Sequence, residues 1–175
     1  MTSVARGAVR RLAAFTVTSE PGNERVALAR VAEAVAGTGL AGQRLDRLKT
    51  AVAEATMNAI EHGNRNRADL PVDIEVTQQG TNIVVTITDQ GGASEGASPG
   101  AEPDLAAKLA GEQPPRGWGL FLIRHMVDAM DVTTEGTRHT VRLVMRAAGP
   151  SAPDRGAAEE LQACFEKSRV GRAPS

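Results

Sequence analysis

Glu54 and Asn58 stand four residues apart in the stretch Glu54-Ala-Thr-Met-Asn-Ala-Ile-Glu-His-Gly-Asn64. At helical spacing they project side by side, with Glu61 a turn further along. A carboxylate beside an amide oxygen suits phosphate chemistry. The amide oxygen is a neutral hard ligand for Mg²⁺, and the carboxylate can take a proton from a hydroxyl or water approaching a terminal phosphate. Alone, the pair also describes an ordinary solvated helix face.

Two glycine-bearing groups add to it. Asp89-Gln-Gly-Gly92 ends an apolar run. A carboxylate at a strand end can accept a hydrogen bond from an exocyclic amine such as that of adenine, while Gly91 lets backbone pass close to a flat ring. In isolation this is an Asp-x-Gly turn. Arg116-Gly-Trp-Gly-Leu120 stands just before a helical pattern. Glycines at that place free backbone N–H groups for phosphate oxygens, the macrodipole favours an anion there, and Arg116 adds a full charge. Without the other two groups it reads as a hinge, with Trp118 as packing.

These groups need elements to hold them. Residues 10–18 read as a strand closed by the turn Ser19-Glu-Pro-Gly22, and 23–36 as a helix with Asn23 as N-cap and Gly37 as stop. A second helix spans 41–62, with Leu45, Leu48, Val52, Ala55 and Ala59 as its apolar stripe, Glu54 and Asn58 opposite, and Gly63 as its C-terminal break. Val72, Ile74 and Val76 alternate with polar residues, and after Gln79-Gly80 a more apolar strand covers 82–88. Residues 120–130 return to helical spacing, and 132–134 with 140–145 make a further hairpin around Glu135-Gly-Thr137. The order predicts an α+β fold, a two-layer sandwich with helices on one face of a mixed, mostly antiparallel sheet.

The stretch 90–116 is dense in Gly, Ser, Pro and Glu, with one helix-like piece at 104–109, and reads as a lid. Residues 1–9 and 147–175 read as a flexible N-terminus and a mostly disordered tail around a domain at 10–146.

Composition narrows the functional classes. In 175 residues, 20 Lys+Arg against 21 Asp+Glu leave a formal charge of −1, so no basic surplus drives binding to nucleic acid or anionic lipid. Aromatics make up 2% of the chain, too few for a base-stacking surface. One cysteine, Cys164, closes no intrachain disulfide, and it reads as an incidental small apolar residue. With no apolar run of membrane-spanning or signal-peptide type, the expected location is the cytoplasm.

Taken in order, the three groups resemble the N, G1 and G2 boxes of the GHKL ATPase superfamily. Leu48-Lys-Thr-Ala-Val-Ala-Glu-Ala-Thr-Met-Asn-Ala-Ile-Glu-His-Gly63, Thr88-Asp-Gln-Gly91 and Arg116-Gly-Trp-Gly-Leu-Phe-Leu-Ile-Arg-His-Met-Val-Asp128 are similar to the anti-sigma factor serine/threonine kinases of the stress-response and sporulation type. The likeness covers about residues 15–146. It implies a Bergerat-type fold that binds ATP and Mg²⁺. Glu54 would be the general base, Asn58 the Mg²⁺ ligand and Asp89 the adenine contact. Gly91, Gly117 and Gly119 would be close-approach backbone around the nucleotide, with Arg116 and Leu120 beside them. The implied partners are a sigma factor, which is sequestered, and a STAS-type anti-anti-sigma protein, which is phosphorylated on serine. A homodimer is implied, with no direct nucleic-acid or membrane contact. One departure stands out: the superfamily's Asp-x-Gly-x-Gly pattern places its second glycine at position 93, where this chain has Ala93 after Gly92. The alternative reading is an ATP-binding anti-sigma or regulatory module with little or no kinase activity. The ATP-binding half of a sensor histidine kinase or of a topoisomerase-like machine is a third, and it would need a separate partner chain.

Overall fold

A computed structural model describes residues 8–91 and 118–147. Gly92 to Gly117, which hold most of the expected lid and its helical piece, lie outside the described residues, as do the expected tail beyond Ala147 and Cys164. Five strands form one sheet in the order β1-β2-β3-β5-β4: β1 Val9–Thr18, β2 Pro71–Gln79, β3 Asn82–Asp89, β4 Ala129–Glu135 and β5 Arg138–Arg146. Each of the four ladders is antiparallel. Among the described residues three α-helices complete the α+β sandwich: α1 Asn23–Ala34, α2 Gly42–Asn58 and α3 Trp118–Met126.

Alternation decides which way the strands face. Val72, Ile74 and Val76 of β2, Ile83, Val85 and Ile87 of β3, and Val141, Leu143 and Met145 of β5 are buried in one core with Leu48, Val52 and Ala55 of α2 and Ile123 of α3. With a period of two, the inward row of β3 runs on to Asp89, and that of β5 begins at His139. Both polar side chains thus end apolar rows on the helix-facing side. The hairpin turns at Gly80 and Gly136 each have φ +61°, which a glycine adopts without strain.

Several boundaries differ from expectation for identifiable reasons. Asn23 is the first helical residue and does not cap α1. Gly22, at φ +99°, takes the cap position, and the Asn23 amide donates back to the Thr18 carbonyl and hydroxyl at 3.0 and 2.7 Å. The second helix is regular only to Asn58. A π turn follows at Ala59–Gly63, closed by the Asn64 N–H donating to the Ala59 carbonyl at 2.8 Å. The helix expected over 120–130 stops at Met126, and Met130 belongs to β4. Asp128 explains the stop. Its N–H donates to the Val144 carbonyl at 2.9 Å and its Oδ2 accepts the Arg146 N–H at 2.7 Å, which draws the chain onto β5.

Arg44 completes that junction. Its guanidinium pairs with Asp128 Oδ2, while its Nε donates to the Arg146 carbonyl at 2.8 Å. α2, the bend after α3 and the end of β5 are thereby clamped together. Burial on its own raises the Asp128 carboxyl, but the Arg146 N–H and the Arg44 guanidinium outweigh it and hold the group below its ordinary value of 3.8. A depressed folded-state value means the stabilisation is complete above that ordinary value. It is lost as pH falls through the lower folded value. Asp128→Asn is therefore expected to cost about 1–2 kcal/mol at pH 7. Urea melts at pH 7 and pH 3 check this: the gap between variant and wild type should narrow at the lower pH.

Candidate nucleotide site

Glu54 and Asn58 leave α2 one turn apart, and the face they share is not the solvated one that the pair alone would also describe. Glu54 is only 9% exposed and Asn58 is half-buried. The cover comes from the start of α3. A Cβ built on Gly119 would stand 2.7 Å from Asn58 Nδ2, 2.9 Å from Glu54 Oε1 and 3.2 Å from Asn58 Oδ1. Any side chain at this position would have to push the ends of Glu54 and Asn58 aside for α3 to begin here. Leu120 next to it packs partly buried against the core. Arg116 and Gly117 lie outside the described residues.

The other end of the same helix meets the second group. Asp89, 2% exposed at the end of β3, rests against Gly63, where a Cβ would come within 2.5 and 2.6 Å of its two carboxylate oxygens. Gly63 is thus required for room and not for a left-handed break; the left-handed residues are Arg65 and Asn66, at φ +53° and +57°. A Cβ on Gly91 would overlap the Gly63 carbonyl and stand 2.9 Å from the Asn64 nitrogen. Backbone touches backbone here. Oδ1 of Asp89 accepts the Gly91 N–H at 3.4 Å, and Oδ2 lies 3.3 Å from His139 Nδ1.

Asn64, to which the sequence reading assigns no role, ties these pieces together. It is 1% exposed. Its Oδ1 accepts the Gln90 N–H at 2.8 Å, and its Nδ2 donates to Ser19 Oγ at 2.8 Å and to the carbonyls of Leu70 and Pro71, each at 3.1 Å. Ser19, fully buried, donates its hydroxyl to the Leu70 carbonyl at 2.6 Å. One amide therefore holds the ends of β1 and β3 and the start of β2 against the π turn. An asparagine directly after the helix-terminal His62-Gly63 is the only hint of this in the sequence. Asn64→Ala should lower stability by about 3 kcal/mol, because it strands several buried partners at once. Chemical denaturation measures that loss. Glu61 and His62, by contrast, are exposed.

From Glu54 to Gly63 the helix advances roughly 12–14 Å. One end offers a carboxylate and an amide oxygen beside Gly119, and the other offers a buried carboxylate flanked by glycines. The first end is a hard-oxygen donor set of the kind that shares Mg²⁺ with phosphates, and at each end a glycine lets two segments pack closely. Base-to-phosphate binding of a nucleotide fits this span. Among the described residues no cluster of three His, Cys, Asp or Glu side chains is placed to hold a metal by itself. A shallow depression of about 560 Å³, lined by Arg11, Glu75, Thr86 and Arg142 among others, contains none of the site residues.

Comparison with known proteins agrees with the fold. The model of the histidine kinase-like ATPase domain matches residues 17–145. The chain belongs to that family. It is 31% identical over 127 residues to the anti-sigma F factor of Oceanobacillus iheyensis, covering 73% of this chain and 84% of the relative. The anti-sigma F factor of Clostridium kluyveri is 30% identical over 128 residues, covering 73% and 87%. Within the family the chain therefore falls with the RsbW-like anti-sigma factors of the GHKL superfamily. Two solved structures share its fold. The RsbU and RsbW domains of Rv1364c from Mycobacterium tuberculosis align with a TM-score of 0.56 at 17% identity, covering 79% of this chain and 34% of that one. The SiaB–SiaC complex from Pseudomonas aeruginosa aligns at 0.57 and 15%, covering 78% and 90%. The ATPase domain carries ATP binding with it. No helix among the described residues is long and apolar enough to cross a membrane.

Proposed function

We propose that this chain is an ATP-dependent serine kinase and anti-sigma factor that sequesters a sigma factor and phosphorylates a serine of its STAS-type antagonist. The observation that carries this reading is the seating of Gly119 against Glu54 and Asn58, which joins a proton acceptor and a metal-type oxygen to the start of a helix whose dipole favours phosphate. The anti-sigma F factors at about 30% identity support the sequestering role.

In this reading Glu54 takes the proton from the serine hydroxyl as its oxygen bonds to the terminal phosphorus and the bond to ADP breaks. Phosphoserine and ADP are the products. Asn58 Oδ1 would hold Mg²⁺, which when bound offsets the phosphate charge. Asp89 would accept a hydrogen bond from the adenine amino group, and Gly91, Gly117, Gly119, Leu120 and Arg116 would surround the nucleotide. Positioning and charge stabilisation supply most of the acceleration in such transfers. We place the domain at residues 10–146, acting as a cytoplasmic homodimer.

The Gly92-Ala93 order favours a second reading, a nucleotide-loaded sequestering module with little transfer. Incubation with terminally labelled ATP and candidate STAS-type antagonists separates the two. Label on an antagonist serine supports the kinase. ATP binding with sigma-factor capture but no label supports the second reading, and absence of ATP binding overturns both.

A further inference from the structure

The carboxylate at the base-recognition end needs more than its strand to hold it. Asp89 is a buried carboxyl group at the end of β3, and polar oxygens away from water are costly unless they are partnered. Oδ1 has the Gly91 N–H at 3.4 Å. Oδ2 faces His139 Nδ1 at 3.3 Å, and His139 is the one Lys, Arg or His side chain that the described residues bring within 4 Å of it. The placement follows from the register. Asp89 and His139 are directly opposite on β3 and β5, both in the row that faces the helices. One step inward, the hydroxyls of Thr88 and Thr140 lie 3.0 Å apart and fix the same pairing. The His139 side chain is 21% exposed and that of Asp89 only 3%, so the imidazole is the more solvent-exposed partner of the pair.

We propose that His139 is a positioning residue for nucleotide recognition, whose imidazole occupies Asp89 Oδ2 and fixes the carboxylate plane so that its remaining acceptor site meets the amino group of adenine. The proposal rests on the reading of Asp89 as the base contact. A neutral imidazole with its proton on Nδ1, or an imidazolium, supplies the needed donor. Its effect is confined to ligands that carry the amino group. An analogue without that group, purine riboside triphosphate, has nothing to gain from an oriented carboxylate.

Calorimetry on the full chain with ATP and with purine riboside triphosphate tests this in four proteins. Wild type should prefer ATP. His139→Phe should bind ATP about 3- to 12-fold more weakly and leave the analogue within about twofold of wild type. His139→Asn, whose amide nitrogen can stand near the place of Nδ1, should restore most of the ATP affinity. Asp89→Asn should abolish the preference. Equal loss of both ligands in His139→Phe, or no rescue by asparagine, overturns the role of His139. If Asp89→Asn removes the preference while His139→Phe keeps it, His139 alone is misassigned. A wild type or an Asp89→Asn protein that gives the wrong preference removes the base contact and the inference with it.

Discussion

Glu54→Gln is expected to lower phosphate transfer to the antagonist about 10²- to 10⁴-fold while leaving ATP affinity within about threefold. The substitution keeps the shape of the side chain and its place beneath Gly119, so helix packing and the neighbouring Asn58 oxygen are undisturbed. What it removes is a carboxylate able to accept the serine proton. A general base acts in the transition state and contributes little to ground-state binding, which is why turnover and affinity should separate. Single-turnover transfer with calorimetric ATP titration on the same preparation reads both. Transfer at the wild-type rate would show that Glu54 is not the base, whatever the nucleotide does.

Gly91→Ala should act in the opposite way, through binding and stability together. A methyl group at position 91 falls on the Gly63 carbonyl, and neither partner is a flexible side-chain tip that can swing aside. The end of β3 and the π turn must separate. The Gln90 N–H to Asn64 bond and the Asp89 contact with Gly63 lie in the same few ångströms and would go with them. Expected losses are about 3 kcal/mol of stability and about 10- to 100-fold in ATP affinity. Thermal melts and ATP titration below the melting range measure these. A variant that melts and binds as wild type would mean that the close approach of the two backbones is dispensable.

Much of this was legible in one dimension. The 2.0 and 3.6 periods located the strands and helices that carry the site, and the antiparallel hairpins followed from short turns at Gly80 and Gly136. Errors fell where an element ended. Asn23 had the residue type of a cap, but its amide was claimed by Thr18. Met130 kept helical spacing with Leu120 and Ile123, yet Asp128 had already bent the chain toward β5. In each case a hydrogen bond to another part of the chain outweighed a local preference of a few tenths to one kcal/mol.

The order and chemistry of the residues alone determined that a carboxylate and an amide would share a helix, that an aspartate would end a buried strand, and that glycines would stand where backbone must come close. Only the tertiary structure decided that Glu54 is buried beneath Gly119, that Gly63 exists to admit Asp89, that Asn64 ties three strand ends to the π turn, and that His139 faces Asp89. Periodicity reports the faces of one element to its own immediate neighbours along the chain. These contacts join residues far apart in the sequence, and the packing of the helix layer on the sheet, together with the register of its ladders, selects them.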